Sequence, residues 1–306
     1  MAVGFIGLGN MGGHMARSLL RAGRRVVVSD VSAEAMRSLE KAGATVADSP
    51  AAVATAVGGG SLVTMLPSGA IVRDVYQEVL GAPGFGASQL IDCSTVDPAT
   101  ATAVAGWATD AKSIFVDAPV SGGVVGAEQA TLTFMVGATD RDAFDRAEPL
   151  LLQMGRSAVH CGGVGSGQAV KLCNNLALAV SMAGIAEAML LGARLGVEPA
   201  TLASVFNSSS ARCWSSDTYN PCPGVMQGVP ASRGYEGGFS TNLMLKDLRL
   251  ASEAAATSGT PVPSCEHATR IYALSAEAGM AGKDFGAVYK MLAYKSVDER
   301  PRRAFR

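Results

Sequence analysis

The sequence predicts an α/β domain followed by an all-α domain, the two joined by a long helix. Three observations predict it. Short apolar runs alternate with helical patterns through the first half of the chain, the strand signal stops after Gly165, and the stretch that follows reads as one long helix. Strand–helix alternation of this length builds a parallel sheet with helices on both faces. At 306 residues the chain is long for one hydrophobic core, so two domains are expected, 1–163 and 164–306.

The elements follow in order. Val3–Ile6, Arg25–Ser29, Ser61–Met65, Gln89–Asp92 and Ile114–Asp117 read as short apolar strands, with further strands at Thr131–Val136 and Ala158–His160. Helical patterns lie between them, at Met11–Ala22, Ala33–Ala42, Ala70–Leu80 and through Phe144–Leu152. In the second half helices are expected at Gln168–Leu195, Pro199–Ser208, Leu243–Ser258, Pro263–Ala278 and Phe285–Leu292. The segment 209–240 is long, aromatic, and rich in Gly, Pro and Ser. Trp214, Tyr219, Tyr235 and Phe239 argue that it is ordered and functional, as long loops in compact domains usually are.

Composition narrows the function. Hydrophobic residues make up 48% of the chain, which excludes a disordered protein. The 25 basic and 26 acidic residues balance, with no basic run to bind nucleic acid. The six cysteines are dispersed, with neither C-x-x-C nor His at zinc spacing, so no metal site is expected and a reducing compartment is the simplest reading. A strand-like run follows Met1 almost at once, so no signal or transit segment is expected within these residues. Leu176–Leu195 is long enough to cross a bilayer. It carries Glu187 and Arg194, follows Asn174 and Asn175, and lacks charged membrane-type flanks, so it reads as a central core helix instead.

The first chemical motif is GLGNMG, Gly7 to Gly12. A G-x-G-x-x-G alone is a weak signal in a chain with 36 glycines. Here it follows the strand VGFI and opens a helix. That context is the Rossmann-type dinucleotide fingerprint: Gly7 for the tight turn, Gly9 for approach of the pyrophosphate, Gly12 for helix–strand packing. Leu8, Asn10 and Met11 complete the phosphate turn at a helix N-terminus. The next strand ends at Asp30, near the spacing expected for an acid that binds the ribose hydroxyls. A carboxylate there repels a 2′-phosphate, which favours NAD over NADP. Asp30 as a plain helix cap is the competing reading, but Ser32 can fill that role. Leu66 and Pro67, and Thr95, follow the carboxyl ends of later strands, where ligands of open parallel sheets sit. For Thr95 a helix N-cap is the equal alternative.

A second constellation faces the nicotinamide. A Ser-Gly-Gly turn at Ser121, Gly122 and Gly123 follows the strand ending at Asp117. Its backbone amides can form an anion nest, or it is a tight turn that needs glycine. The long helix opens GVGSGQAVKLCNN, an odd start for an apolar helix. Gly167, Lys171 and Asn175 recur at i, i+4, i+8 and so share one face, on which Gly167 leaves room. An ammonium buried without a partner is costly, so Lys171 is expected at a working edge facing an interdomain cleft. Desolvated beside a cationic nicotinamide, it can act as a general base. A lysine snorkelling from a helix end explains the charge but not Asn175 one turn on.

The ordered motifs GFIGLGNMG, TMLP, STVDP, DAPVSGG, TFMVG, GSGQAVKLCNN and LMLKDLRLA resemble the β-hydroxyacid dehydrogenase family over essentially the whole chain. The resemblance implies catalysis by Lys171 with support from Asn175, and substrate binding at Ser121, Gly122 and Gly123. It implies cofactor contacts at Lys246 and Phe239, with Phe239 and Trp214 as pocket walls. Through the loop around Trp214 and Tyr219, it implies NAD-dependent oxidation of 3-hydroxyisobutyrate to methylmalonate semialdehyde, a step of valine breakdown. Reductases of tartronate semialdehyde, succinic semialdehyde or glyoxylate are the near alternative, since the same lysine serves them. A non-catalytic scaffold is disfavoured by the presence of both Lys171 and Asn175. The resemblance also implies a homodimer or homotetramer joined through the helical domain. The compartment is the mitochondrial matrix in a eukaryote and the cytoplasm in a bacterium. His14 departs from the family's pattern and reads as a helix-surface residue.

Overall fold

A computed structural model describes residues 2–85 and 89–294; residue 1 and residues 295–306, the outer ends of the two expected domains, lie outside the described residues. The chain forms two compact units, Met1–Lys171 and Leu172–Arg306, whose boundary falls inside the long helix.

In the first unit the order is β1 (Val3–Ile6), α1 (Gly12–Arg21), β2 (Val26–Ser29), α2 (Ala33–Glu40), β3 (Thr45–Val46), α3 (Pro50–Val57), β4 (Ser61–Thr64), α4 (Gly69–Leu80), β5 (Gln89–Asp92), α5 (Pro98–Asp110) and β6 (Ile114–Asp117). Then follow β7 (Val120–Ser121), α6 (Gly123–Glu128), β8 (Leu132–Ala138), α7 (Arg141–Leu151), β9 (Gly155–Gly162) and the start of α8 (Ser166–Arg194). The strands lie in the order β3-β2-β1-β4-β5-β6-β8-β7, with β9 paired to β8.

Strands β1 to β6 are parallel, as expected, but β8 runs antiparallel to both β6 and β7. Parallel neighbours need a crossover that returns the chain to the same edge. After β6 the chain instead turns at once into β7 and the short α6, and comes back in the opposite sense.

Side chains of a strand alternate between faces, and here both faces are buried. Val3, Phe5, Val26, Val28, Val63, Ile91 and Val116 fill one core with α1 and α7. Ile6, Val27, Leu62, Leu90 and Phe115 fill the other with α3, α4 and α5. This two-sided burial is why the strands read as continuous apolar runs. The register aligns Ser29 with Ile6, Ile6 with Thr64, Thr64 with Asp92, and Asp92 with Asp117. The carboxyl ends of β2, β1, β4, β5 and β6 thus form one row, and polar residues begin there.

The second unit continues α8 and adds α9 (Pro199–Ser208), α10 (Trp214–Asp217), α11 (Thr241–Ser258), α12 (Pro263–Ser275) and α13 (Val288–Tyr294). Leu172, Ala179, Met182, Ala183 and Ala186 of α8 pack with Met244, Leu248, Ile271 and Tyr272. Alone among the described helices α8 is long and apolar enough to cross a membrane; 39% of its apolar window is buried, and that part packs into this core. Helix α12 ends earlier than its apolar pattern suggests, in a π-helical turn with Gly279 at φ 84°.

The aromatic segment 209–240 is ordered, as expected. It holds α10 and a 3-10 turn at Pro230–Arg233. Buried Asp284 gathers it, accepting hydrogen bonds from Tyr219 Oη, Phe239 N and Gly286 N, each at 2.9 Å. A side chain at Gly238 would collide with the Asp284 carboxylate and Tyr219 Oη.

Candidate active site

The glycine turn lies where expected, between β1 and α1. Gly7 has φ 92°, and a side chain there would strike Met65 O. A side chain at Gly12 would strike Gly7 O. Both glycines serve the turn's own packing. Gly9 differs: it is exposed, and a Cβ there would meet nothing within 4 Å. Its lack of a side chain leaves room for something outside the chain.

Helix α1 begins without a side-chain cap and without an acidic residue in its first turn. Its first N–H groups and the positive end of its dipole are therefore available to an anion. Asp30 is half-buried at the end of β2. Its Oδ2 accepts from Leu8 N at 2.5 Å and its Oδ1 from Ser32 N at 2.7 Å. The carboxylate is thus held against the glycine turn. Ser32 caps α2 through Ala35 N, so Asp30 is not that helix's cap. Open space at Gly9, the uncapped helix start and the anchored acid fit a dinucleotide with a free 2′-hydroxyl. His14 lies half-buried on α1.

Leu66, Pro67 and Thr95 follow β4 and β5. Leu66 N donates to Ser94 Oγ at 2.8 Å, and Ser94 Oγ donates to Asp92 Oδ1 at 2.6 Å. Thr64 Oγ1 also donates to Asp92 Oδ1, at 2.8 Å. Asp92 is fully buried, and burial raises its pKa to about 6 despite these donors. The residue that caps α5 is Asp97, through Thr100 N at 2.7 Å, so Thr95 is not an N-cap. Thr95 sits half-buried between buried Ser94 and Val96.

At the Ser-Gly-Gly turn, Ser121 is half-buried and pairs with Thr133 across β7 and β8. Gly122 has φ 136° and Gly123 φ 63°, both in the region that disfavours side chains. A Cβ at Gly123 would meet nothing within 4 Å.

Gly167, Lys171 and Asn175 do share a face of α8, and that face is buried, while Cys173 and Asn174 are exposed. Lys171 is 7% exposed and Asn175 2%. By the sequence Gly167 leaves room on this face, but that room is taken by other parts of the chain. The missing side chain makes room for Met135 O, Asp117 O and Asp117 Oδ2.

Asp117 supplies what the sequence reading left out. Its Oδ1 accepts from Gly165 N at 2.7 Å and its Oδ2 from Gln168 N at 2.9 Å. A carboxylate from the end of β6 thereby caps the helix that carries Lys171. Burial raises its pKa to about 6.

In the second unit, Asn175 Nδ2 donates to Asp247 Oδ2 at 2.6 Å, and Asn174 Nδ2 donates to Asn175 Oδ1 at 3.0 Å. Asp247 is 2% exposed, and Lys246 Nζ lies 3.2 Å from its Oδ1. Sequence reasoning placed Lys246 but missed Asp247. The signal was its phase: Asp247 shares the core face of α11 with Met244, Leu248 and Ala251. Trp214, 45% exposed, stacks on Tyr219 with centroids 4.6 Å apart, and Phe239 meets Phe285 edge-on. Among the described residues no cluster of three His, Cys, Asp or Glu could hold a metal.

Comparison with known proteins agrees with this geometry. Residues 2–163 match the model described as the NAD binding domain of 6-phosphogluconate dehydrogenase. Residues 165–292 match the model described as NAD-binding of NADP-dependent 3-hydroxyisobutyrate dehydrogenase. A probable mitochondrial 3-hydroxyisobutyrate dehydrogenase of Dictyostelium discoideum is 49% identical over 95% of this chain and 90% of its own. The mitochondrial enzyme of that name from Homo sapiens is 47% identical over 95% and 86%. The solved structure of Mycobacterium tuberculosis 3-hydroxyisobutyrate dehydrogenase with L-serine superposes with a TM-score of 0.88 at 41% identity, covering 95% of this chain and 98% of that one. The chain is therefore an NAD-dependent hydroxyacid oxidoreductase and belongs to the 3-hydroxyisobutyrate dehydrogenase family.

Proposed function

We propose that this chain oxidises 3-hydroxyisobutyrate reversibly to methylmalonate semialdehyde with NAD, Lys171 serving as general base in oxidation and general acid in reduction. The observation that carries the assignment is Lys171 itself, 7% exposed on a helix whose start is tied down by Asp117. A buried amine with a fixed position can move a proton without first shedding water. When bound, NAD supplies the hydride acceptor.

Ser121 and the amides of Gly122 and Gly123 bind the substrate carboxylate. Lys171, neutral, takes the hydroxyl proton in oxidation and returns it in reduction. Asn175, one helical turn on, has its amide orientation set by Asp247 and orients the hydroxyl. The turn from Gly7 through Leu8, Gly9, Asn10 and Met11 to Gly12 holds the pyrophosphate, and Asp30 takes the ribose hydroxyls and disfavours NADP. Leu66, Pro67 and Thr95 line the cofactor side. Lys246 and Phe239 contact the cofactor, and Trp214 shapes the substrate pocket.

The working form is a homo-oligomer; Leu191, Leu195 and Val205 leave apolar surface exposed on and after α8 and on α9. Several relatives are named as mitochondrial. The matching compartment is the matrix in a eukaryotic cell and the cytoplasm in a bacterial one.

The test is NAD reduction with 3-hydroxyisobutyrate, L-serine, D-glycerate, 4-hydroxybutyrate and 3-hydroxypropionate in parallel, repeated with NADP and with K171A. The highest kcat/KM is expected for 3-hydroxyisobutyrate with NAD. K171A is expected to lose on the order of a hundred- to ten-thousand-fold in kcat while binding NADH normally. A folded K171A enzyme with near-wild-type turnover would sink the base assignment. A better rate with another acid would keep the base and change the substrate.

A further inference from the structure

We propose that Gln168 is a positioning residue of this dehydrogenase: it ties the first turn of the Lys171 helix to the loop carrying Thr95, with Asp117 as the second anchor. The inference rests on the assignment of Lys171 as base.

Gln168 is wholly buried, and each of its polar groups has a partner. Nε2 donates to Ser94 O at 2.8 Å, Oε1 accepts from Val96 N at 3.1 Å, and its own backbone N donates to Asp117 Oδ2 at 2.9 Å. Ser94 and Val96 flank Thr95, and Ser94 Oγ accepts from Leu66 N at 2.8 Å. One turn of α8 is therefore joined to the ends of β4, β5 and β6. Those are the segments carrying Leu66, Thr95 and the Ser121 turn.

Lys171 follows three residues later, roughly 4.5 Å along the helix axis. Sliding or rotating that turn leaves Ser94 O and Val96 N unpaired in the interior, which is costly. An amide suits the position because it carries a donor and an acceptor in one plane. A residue of similar size without those groups fills the space but releases the tie. The titratable groups around it are Asp117, bonded to its backbone N, Asp92, bonded to Ser94, Cys93 beside Ser94, and Lys171 three residues on along α8.

The experiment compares Q168M, Q168E and K171A with wild type in the reduction direction, across the range from acid to mildly alkaline pH, with NADH affinity read by fluorescence. Q168M is expected to lose about ten- to a hundred-fold in kcat, the scale of a misplacement near 1 Å, with NADH affinity little changed. Q168E matches Q168M at alkaline pH, where its carboxylate opposes Ser94 O. Relative to wild type at the same pH, Q168E recovers by about fivefold or more on acidification, because a neutral carboxyl again offers one donor and one acceptor. A purely structural role shows in thermal melts at each pH and leaves kcat per folded enzyme in a constant ratio to wild type. A folded Q168M at wild-type rates overturns the inference while an inactive K171A leaves the base assignment standing. A flat ratio of Q168E to wild type overturns it too, and covers the case in which Q168M fails to fold. Wild-type turnover in K171A overturns the base assignment and this inference together.

Discussion

Replacing Gly167 by alanine isolates the placement of Lys171 from its chemistry. The added Cβ would sit 2.8 Å from both Asp117 O and Asp117 Oδ2, and closer still to Met135 O. Two of these three are backbone oxygens of β6 and β8, interior strands of the sheet, and they cannot swing aside. The third is a carboxylate held by Gly165 N and Gln168 N. The helix must therefore move. Reaching ordinary contact takes at least about 0.6 Å from Asp117 and on the order of 1 Å from Met135 O. Lys171 lies one turn further along the same helix and moves with it. A displacement near 1 Å at a reacting group costs about a hundredfold in rate, and the strain costs about 1–3 kcal/mol of stability. The assay is steady-state kcat for G167A beside an NADH titration and a thermal melt. G163A is the control, since a Cβ at Gly163 meets nothing within 4 Å. The expected outcome is a large loss of kcat, intact NADH binding, and a near-normal G163A. G167A turning over within about threefold of wild type would refute the reasoning, because a shift of that size cannot leave the proton path intact.

Three further outcomes are expected. D30N should weaken NAD binding by about 1.5–3 kcal/mol, the value of one charge-assisted hydrogen bond, and narrow the preference over NADP; unchanged selectivity in paired KM measurements would mean that the acid does not face the ribose. N175A and D247A should be coupled by about 1.5–3 kcal/mol in a double-mutant cycle on kcat/KM, since their 2.6 Å hydrogen bond is buried; simple additivity would separate them. Burial raises Asp284 from 3.8 to about 6, so the folded form binds this proton more tightly than the unfolded chain does. Its stabilising contribution is fully present below pH 3.8 and is lost as pH rises to about 6, with a slope approaching 1.4 kcal/mol per pH unit between them. D284N, which lacks the proton, should remove that slope from urea-denaturation stabilities measured across the interval.

Sequence reading and structure part company according to the range of the physics involved. Strand β1, the glycine turn and α1 are set by local rules: an apolar run, a turn that needs positive φ at Gly7, and a helix start. The strands β5 and β6 and helix α9 have the ends their apolar patterns and flanking breakers indicate. The place of Asp30 beside the glycine turn was legible because it depends on spacing from that turn. The short β3, β7 and α6 were not, because two to six residues carry too little periodicity to stand out.

The face shared by Gly167, Lys171 and Asn175 follows from helical period alone, so the sequence by itself determined which residues travel together. It did not determine what they travel against. Asp117 is distant in sequence from Gln168, and Asn175 from Asp247; such hydrogen bonds leave no periodic trace. Gly167 shows the difference most clearly. From the sequence it is a small residue on the lysine's face, with room for a ligand. In the folded chain that room is taken by Asp117 and Met135 O. Pattern decides which face of a helix is buried, because period is a property of one segment. Only the tertiary structure decides what fills that face, because strand ends far apart in the chain meet there only when the sheet is assembled.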